Sequence, residues 1–118
     1  MESSILIVED DAVQRRQMAR VLKADGYGVR EASTGTEAVA KLAENNIAIV
    51  LTDRKMPGMD GVSLLLHIKA NFPSIPVAII TAYMEGVEEY HPDAVLGKPF
   101  RSQELIEMVR HLLRRTND

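Results

Sequence analysis

The sequence contains no cysteine. Disulfide bonds and thiolate metal sites are therefore excluded, and the absence fits a reducing compartment. Long apolar runs are missing too, because no apolar stretch approaches the roughly 20 residues that a membrane-spanning helix needs. The N-terminal residues Met1-Glu2-Ser3-Ser4 include no basic segment that leads into an apolar core, so we expect no secretory signal. These absences predict a cytoplasmic chain without a membrane partner.

An excess of positive charge is also absent. The 118 residues include 17 Asp and Glu against 14 Lys and Arg, which gives a formal net charge of −3 at pH 7. Binding to nucleic acid depends largely on a basic surface, so we predict no direct nucleic acid binding by this domain. The chain lacks internal repeats, linkers and low-complexity tracts. Its length then predicts a single domain over residues 1–118 with a core of its own.

Short apolar runs alternate with segments of helical periodicity. Apolar runs predict strands at residues 5–8, 47–52, 77–80 and 94–97, and residues 29–32 are a further candidate for a short strand. Apolar residues recur at helical spacing within residues 12–24, 38–43, 62–70 and 105–113, and Asn45-Asn46 is predicted to end the second helix. All the strands except 29–32 are expected to be buried. The alternation predicts an α/β fold, in which a parallel sheet with right-handed crossovers has helices on both faces.

Polar residues follow the predicted buried strands directly. Glu9-Asp10 come after the first strand, Asp53 after the third, Thr81 after the fourth and Lys98 after the fifth. In open α/β sheets, ligands bind beyond the carboxyl ends of the strands, where the strand order reverses. The sequence therefore predicts one rim that carries carboxylates, a hydroxyl and an ammonium group.

These groups have a coherent chemistry. Clustered carboxylates repel one another and favour a hard cation with oxygen ligands, usually Mg²⁺ where a phosphate shares the site. A carboxylate such as Asp53 can also attack phosphorus and form an aspartyl phosphate. Lys98 would neutralise the transferring group, and Thr81 would hydrogen-bond one of its oxygens. The rim is therefore a predicted site of Mg²⁺-dependent phosphoryl chemistry.

Taken singly, each of these residues has a simpler explanation. Asp10 or Asp11 could cap the first helix, Asp53 could form a turn, Thr81 could be an ordinary strand residue and Lys98 could be a solvated charge. Their shared position after buried strands favours the functional interpretation.

The motifs that carry these residues resemble a known family. In chain order they are ILIVEDD, LTDRKMPGMDG, IITA and GKPF. With this order and spacing, the chain from Ile5 to about Leu113 resembles the receiver domains of two-component response regulators, the CheY-like family. The resemblance implies a three-layer, doubly wound, flavodoxin-like fold with a five-stranded parallel sheet in the order 2-1-3-4-5. This family is itself a standard example of the rule that places ligands at the carboxyl rim.

The resemblance also implies a metal shell. Asp10 and Asp53 are similar in position to direct Mg²⁺ ligands, and Glu9 to a residue that acts through water. The backbone carbonyl of Lys55 would complete the protein ligands.

For the chemistry, the resemblance implies that Asp53 is the phosphoacceptor. Thr81 would be the hydroxyl that moves toward the phosphoryl group, and Lys98 would be its countercharge. The donor in such domains is a phosphohistidine on a sensor histidine kinase or a phosphotransfer protein. The reader is an output domain or an effector protein, and the sequence does not identify it. The domain would be no enzyme beyond its own phosphorylation and dephosphorylation.

The chain departs from the family pattern at two places. Only 17 positions separate Thr81 from Lys98, fewer than in typical relatives, so the segment from Ala82 to Pro92 predicts a shortened or missing fourth helix. Gly86 and Pro92 interrupt this segment, and it has no apolar stripe longer than one helical turn.

The second departure is a valine where relatives often have an aromatic switch residue. Val95 stands three residues before Lys98, and Tyr83 or Tyr90 could replace the missing ring. Lys55 and Tyr83 occupy positions that in relatives influence the lifetime of the aspartyl phosphate. We expect both to affect it here.

Three other functions remain open at this stage. A small Mg²⁺-dependent phosphatase would also use an aspartate nucleophile, but it usually needs a second carboxylate two residues later, where this chain has Lys55. A nucleotide or flavin domain would need a Gly-rich phosphate loop after the first strand, where the chain has Glu9-Asp10-Asp11. A receiver-like interaction module without phosphorylation is the third alternative.

Overall fold

The structure, a computed structural model of the chain, describes residues 3–44 and 46–117. Asn45, which was predicted with Asn46 to end the second helix, lies outside the described residues, as do Met1 and Glu2. The strands are β1 (Ser4–Val8), β2 (Gly28–Ala32), β3 (Ile47–Thr52), β4 (Val77–Thr81) and β5 (Ala94–Gly97). The helices are α1 (Ala12–Ala24), α2 (Gly35–Ala43), α3 (Gly61–Asn71) and α4 (Ser102–Asn117). Within the described ranges, no helix is both long and apolar enough to cross a membrane.

The five strands form one parallel sheet in the order β2-β1-β3-β4-β5. This confirms the predicted fold class and strand order. From β1 the chain goes to β2 on one side and then to β3 on the other side of β1. The strand order therefore reverses between β1 and β3. In the register, Val8 is opposite Thr52, and Thr81 is opposite Gly97. The residues that follow these strands therefore leave the sheet at the same rim.

Two apolar cores cover the two faces of the sheet, because successive side chains of a strand point to opposite sides. In β1, Leu6 and Val8 belong to the core under α2 and α3, whereas Ile5 and Ile7 belong to the core under α1 and α4. All four side chains are at most 2% exposed. Burial on both faces explains why the central strands read as continuous apolar runs rather than alternating ones.

The expectation that β5 is as buried as the other apolar strands is wrong. All four of its residues are only half-buried, whereas every residue of β4 is buried. The physical reason is position, because β5 lies at the edge of the sheet and pairs with β4 alone.

Side-chain caps begin the first three helices. Asp11 Oδ1 accepts a hydrogen bond from Gln14 N at 3.0 Å, and Asp60 Oδ1 accepts one from Ser63 N at 2.8 Å. Thr34 caps α2 in the same way. The simpler explanation of the acidic run after β1 therefore applies to Asp11 and not to Asp10.

A single 3₁₀ turn, Val87–Tyr90, stands where the resemblance implies a fourth helix. The prediction of a shortened or missing fourth helix is confirmed. Gly86 and His91 flank the turn with positive φ angles of 73° and 54°, a backbone conformation that ends helices. The turn is fixed by the fully buried Val87 side chain and by a 3.0 Å hydrogen bond from Lys69 Nζ to the Tyr90 carbonyl.

We expect Val87→Ala to loosen this segment. The change removes two buried methyl groups from the core under α3, so the free energy of unfolding should fall by about 2 kcal/mol. Urea unfolding measures that loss, and amide hydrogen exchange across residues 83–92 should accelerate more than in the sheet. Val13→Ala is the matched control, because Val13 is 65% exposed and its truncation should change neither quantity. Equal effects of the two changes would contradict the anchoring role of Val87.

Candidate functional site

The rim brings together four of the residues that the sequence singled out. Lys98 Nζ donates hydrogen bonds to Glu9 Oε1 at 2.6 Å and to Asp53 Oδ2 at 2.9 Å. Glu9 and Asp53 follow β1 and β3, and Lys98 follows β5 with its peptide bond to Pro99 in the cis form. Asp10 joins this group from the exposed side. Residues that lie up to 89 positions apart in the chain are thus within hydrogen-bonding distance.

Three carboxylates at the rim form a cluster that fits a divalent cation. One oxygen each from Glu9, Asp10 and Asp53 lies within 4.8 Å of the other two. Glu9 is only 1% exposed, whereas Asp10 faces solvent, so the cluster is open on one side. Hard oxygen ligands around an open position are what Mg²⁺ uses in proteins, since it keeps several of its waters. The backbone carbonyl of Lys55 stays a predicted ligand.

Burial and hydrogen bonding act in opposite directions on the pKa values of Glu9 and Lys98. Burial raises the pKa of Glu9 above its ordinary value, although the hydrogen bond from Lys98 acts against that rise. Burial alone would lower the pKa of Lys98, but its hydrogen bonds to Glu9 and Asp53 outweigh this effect and raise the pKa. Lys98 is therefore a cation at neutral pH, between two carboxylates.

We expect Glu9 to make the metal-free protein less stable as the pH rises above 4.5, the ordinary pKa of a glutamate. Because the folded state raises the pKa of Glu9, it binds more protons than the unfolded state between 4.5 and that raised value. The contribution of Glu9 to the free energy of unfolding therefore falls with pH across this window. In Glu9→Gln this contribution disappears, so the mutant should gain stability over the wild type toward neutral pH.

Urea unfolding in a chelator between pH 4 and pH 8 measures this difference. Glu107→Gln is the control, because Glu107 is exposed on α4 and its change should leave the pH profile unaltered. A Glu9→Gln profile parallel to that of the wild type would contradict the expectation.

Both carboxylate oxygens of Asp53 are fixed by neighbouring groups. Oδ1 accepts a hydrogen bond from Arg54 N at 2.6 Å, and Oδ2 accepts one from Lys98. The backbone of Asp53 continues the ladder of the sheet, since its N–H donates to the Val8 carbonyl at 3.0 Å. Gly61 passes so close that a Cβ atom there would lie 2.0 Å from the Asp53 carbonyl oxygen. The glycine in the motif after Asp53 thus allows the start of α3 to pack against the residue at the centre of the site.

Thr81 is fully buried at the end of β4. Its Oγ1 accepts a hydrogen bond from Tyr83 N at 2.9 Å, which leaves the hydroxyl proton free to be donated elsewhere. Among the contacts of the described residues, none joins Thr81 Oγ1 to Asp53 or Lys98. The fold thus places Thr81 at the rim but not in the hydrogen-bonded group.

Two residues at the site were missed by the sequence analysis. Gln14 Oε1 accepts a hydrogen bond from Lys98 Nζ at 2.6 Å, and Arg54 Nη1 donates to the backbone carbonyls of Tyr83 and Glu85. A glutamine in the first turn of a helix and an arginine in a loop are usually solvated, so neither carries a sequence signal. The only available hint was that Arg54 directly follows Asp53.

The fold and the rim together define a flavodoxin-like α/β domain with an acidic site at the carboxyl ends of its strands. The family model for the response regulator receiver domain matches residues 5–110. The chain therefore belongs to this family, as its motifs predicted.

Relatives and solved structures agree with this assignment. The transcriptional regulatory protein ResD of Bacillus subtilis is 35% identical, over 98% of this chain and 50% of that protein. A response regulator receiver domain protein from Clostridium thermocellum superposes with a TM-score of 0.90 at 28% identity, covering 98% of this chain and 97% of that one. The response regulator TrrA of Thermotoga maritima, solved in complex with Mg²⁺-BeF, gives a TM-score of 0.87 at 29% identity, covering 94% and 99%. The chain spans about half the length of the curated relatives that it matches.

Proposed function

We propose that this chain is the phosphoacceptor domain of a two-component phosphorelay, acting in the cytoplasm with Mg²⁺. The observation that carries the proposal is the Asp53 carboxylate, which lies in an acidic cluster and is hydrogen-bonded by the Lys98 ammonium. If Asp53 served only to form an ion pair with Lys98, it would not need two further carboxylates within 4.8 Å. The Thermotoga neighbour solved with Mg²⁺-BeF supports the choice of metal.

In the proposed reaction, an Asp53 oxygen attacks the phosphorus of a phosphohistidine on a sensor kinase or a phosphotransfer protein. The new O–P bond forms while the N–P bond of the donor breaks, and the departing imidazole nitrogen takes up a proton from solvent. Lys98 keeps its positive charge throughout and neutralises the transferred group. Thr81 donates its free hydroxyl proton to a phosphoryl oxygen.

The metal shell in this proposal consists of Asp10 and Asp53, Glu9 through water, and the carbonyl of Lys55. When bound, Mg²⁺ supplies charge neutralisation for the phosphoryl oxygens. The carboxylates fit it because they are oxygen ligands on an open side of the rim.

A cleft beside the site offers a place for the donor. It has a volume of about 690 Å³, lies between α1 and the start of α4, and contains Lys98 and Gln14 at its end near the rim. Met18, Val21 and Phe100 give it apolar walls. An amphipathic helix of the donor protein could lie in such a groove and bring its phosphohistidine to Lys98.

The output in this proposal is a change of surface rather than turnover of a substrate. An acyl phosphate adds charge and new hydrogen-bond acceptors at the rim, which biases the loops after β3 and β4. The name of the transcriptional regulatory protein ResD suggests transcription as one kind of output. We propose that either an attached output domain or a separate effector reads the change.

The test is the intact mass of the protein after incubation with acetyl phosphate and Mg²⁺. We expect the wild type to gain one phosphoryl group and Asp53→Asn to gain none. Asp60→Asn is the matched control, because Asp60 lies in the same loop and asparagine preserves its helix cap. No gain in the wild type, or an equal gain in Asp53→Asn, would refute the proposal. Continued turnover of a phosphate ester would favour the phosphatase instead.

A further inference from the structure

Arg54 connects the carboxylate at the centre of the site to the segment that replaces the fourth helix. Its backbone N–H donates to Asp53 Oδ1 at 2.6 Å, and its carbonyl accepts from Gly61 N at 2.8 Å. Its guanidinium Nη1 donates to the Tyr83 carbonyl at 2.7 Å and also to the Glu85 carbonyl. One residue therefore contacts Asp53 through its backbone and the segment after β4 through its side chain.

Tyr83 is held at three points although little of it is buried. Its N–H donates to Thr81 Oγ1 at 2.9 Å, its carbonyl accepts from Arg54, and its ring lies 5.2 Å from Lys55 Nζ. The residue is 58% exposed, so core packing does not fix the ring. Its position depends on these tethers, and the tether from Arg54 is a charge-assisted hydrogen bond, the stronger kind.

We propose that Arg54 is a positioning residue, which holds the Tyr83 ring against Lys55 and thereby restricts the approach of water to a phosphoryl group on Asp53. Lys55 follows Asp53 by two residues and Tyr83 follows Thr81 by two, so the contact of the lysine with the ring joins the loop after β3 to the loop after β4. Hydrolysis of an aspartyl phosphate needs a water molecule at phosphorus, which this pair would hinder. The inference rests on the proposed function for its effect on lifetime.

The first test uses the unphosphorylated, metal-free protein. Arg54→Ala should increase the hydrogen-exchange rate of the Tyr83 amide about tenfold, because the segment opens more often once its two carbonyl hydrogen bonds are lost. Arg54→Lys should restore part of the protection, since a lysine can still donate to one carbonyl. Arg16→Ala, an exposed arginine on α1, should leave the exchange rate unchanged.

The second test measures the half-life of the aspartyl phosphate in a double-mutant cycle. Arg54→Ala should shorten the half-life severalfold, and Tyr83→Ala should shorten it as well. In the Tyr83→Ala background, Arg54→Ala should have no further effect, because Arg54 acts through the ring. A purely structural tether would instead shorten the half-life equally in both backgrounds.

The outcomes separate this inference from the proposed function. If the wild type takes up no phosphoryl group, the proposed function fails and the exchange rate of the Tyr83 amide alone decides whether Arg54 positions this segment. If phosphorylation occurs but Arg54→Ala keeps the wild-type half-life, or if the two mutations act additively, the inference is overturned and the proposed function stands. Unchanged exchange in Arg54→Ala would overturn it as well.

Discussion

Lys98→Met should reduce the rate of phosphorylation of Asp53 by acetyl phosphate by about 10²- to 10³-fold, the usual loss for one donor that stabilises developing charge. The ammonium group lies 2.9 Å from Asp53 Oδ2, so its removal takes away a positive charge in direct contact with the carboxylate that accepts the phosphoryl group. Intact-mass measurement over time gives the rate. A wild-type rate in Lys98→Met would contradict the role of the ammonium group.

The same change should destabilise the metal-free protein. It leaves the carboxylates of Glu9 and Asp53, which are 1% and 13% exposed, facing each other without a cation. Breaking a buried ion pair in this way costs about 3 kcal/mol. The loss should be smaller at pH 5 than at pH 8, because Glu9 takes up a proton more readily once the opposing hydrogen bond from Lys98 is gone. Added Mg²⁺ should recover part of it, since a bound cation replaces the ammonium group.

Lys23→Met is the control for both measurements. Lys23 is an exposed lysine in the last turn of α1. It has the same charge as Lys98 but lies at the opposite end of that helix from the rim. Its change should leave both the phosphorylation rate and the stability close to those of the wild type.

We expect the second large effect from Gly61→Ala, which should reduce both the stability and the phosphorylation rate. A Cβ atom at this position would lie 2.0 Å from the Asp53 carbonyl oxygen and 2.9 Å from Arg54 Cα. These are backbone atoms, which cannot rotate away as a side chain would, so the loop after β3 must shift. We expect a loss of about 3 kcal/mol of stability, the upper end for overpacking. Displacement of Asp53 by about 1 Å should also reduce phosphorylation up to 10²-fold.

Gly58→Ala provides a control within the same loop. Gly58 has a φ angle of +74°, but no atom lies within 4 Å of a Cβ atom built there. Alanine should therefore cost only about 1 kcal/mol of backbone strain, without moving Asp53. Equal losses of phosphorylation in the two mutants would show that the contact between Gly61 and Asp53 has no special importance. Urea unfolding and the phosphorylation rate are measured on both proteins.

Much of the fold could be predicted because the signals are local. The apolar runs of β1, β3 and β4 reflect burial on both faces of a parallel sheet, which needs no knowledge of distant residues. The same argument failed for β5, since an apolar run does not reveal that its strand lies at an edge with one neighbour. The irregular segment after β4 was also recognisable, because Gly86 and Pro92 leave no helical stripe. The sequence did not reveal that the buried Val87 side chain anchors this segment.

The candidate site likewise contains some residues that could be predicted from the sequence and others that could not. Its carboxylates, hydroxyl and ammonium were predictable because each directly follows an apolar run. Gln14 and Arg54 were not, because their contacts depend on how a helix and a loop pack at the rim. Gln14 contacts Lys98, 84 residues away, and Arg54 contacts the carbonyl of Tyr83, 29 residues away.

The sequence by itself determined the strand runs and the polar residues that end them, because burial and strand termination are properties of neighbouring residues. Only the tertiary structure decided which of those residues meet. Lys98 bonds to Glu9 and Asp53 while Thr81 bonds to Tyr83 N, since side-chain contacts depend on sheet register and loop path. The tether from Arg54 to the segment after β4 likewise exists only once β3 and β4 are paired and their loops lie side by side.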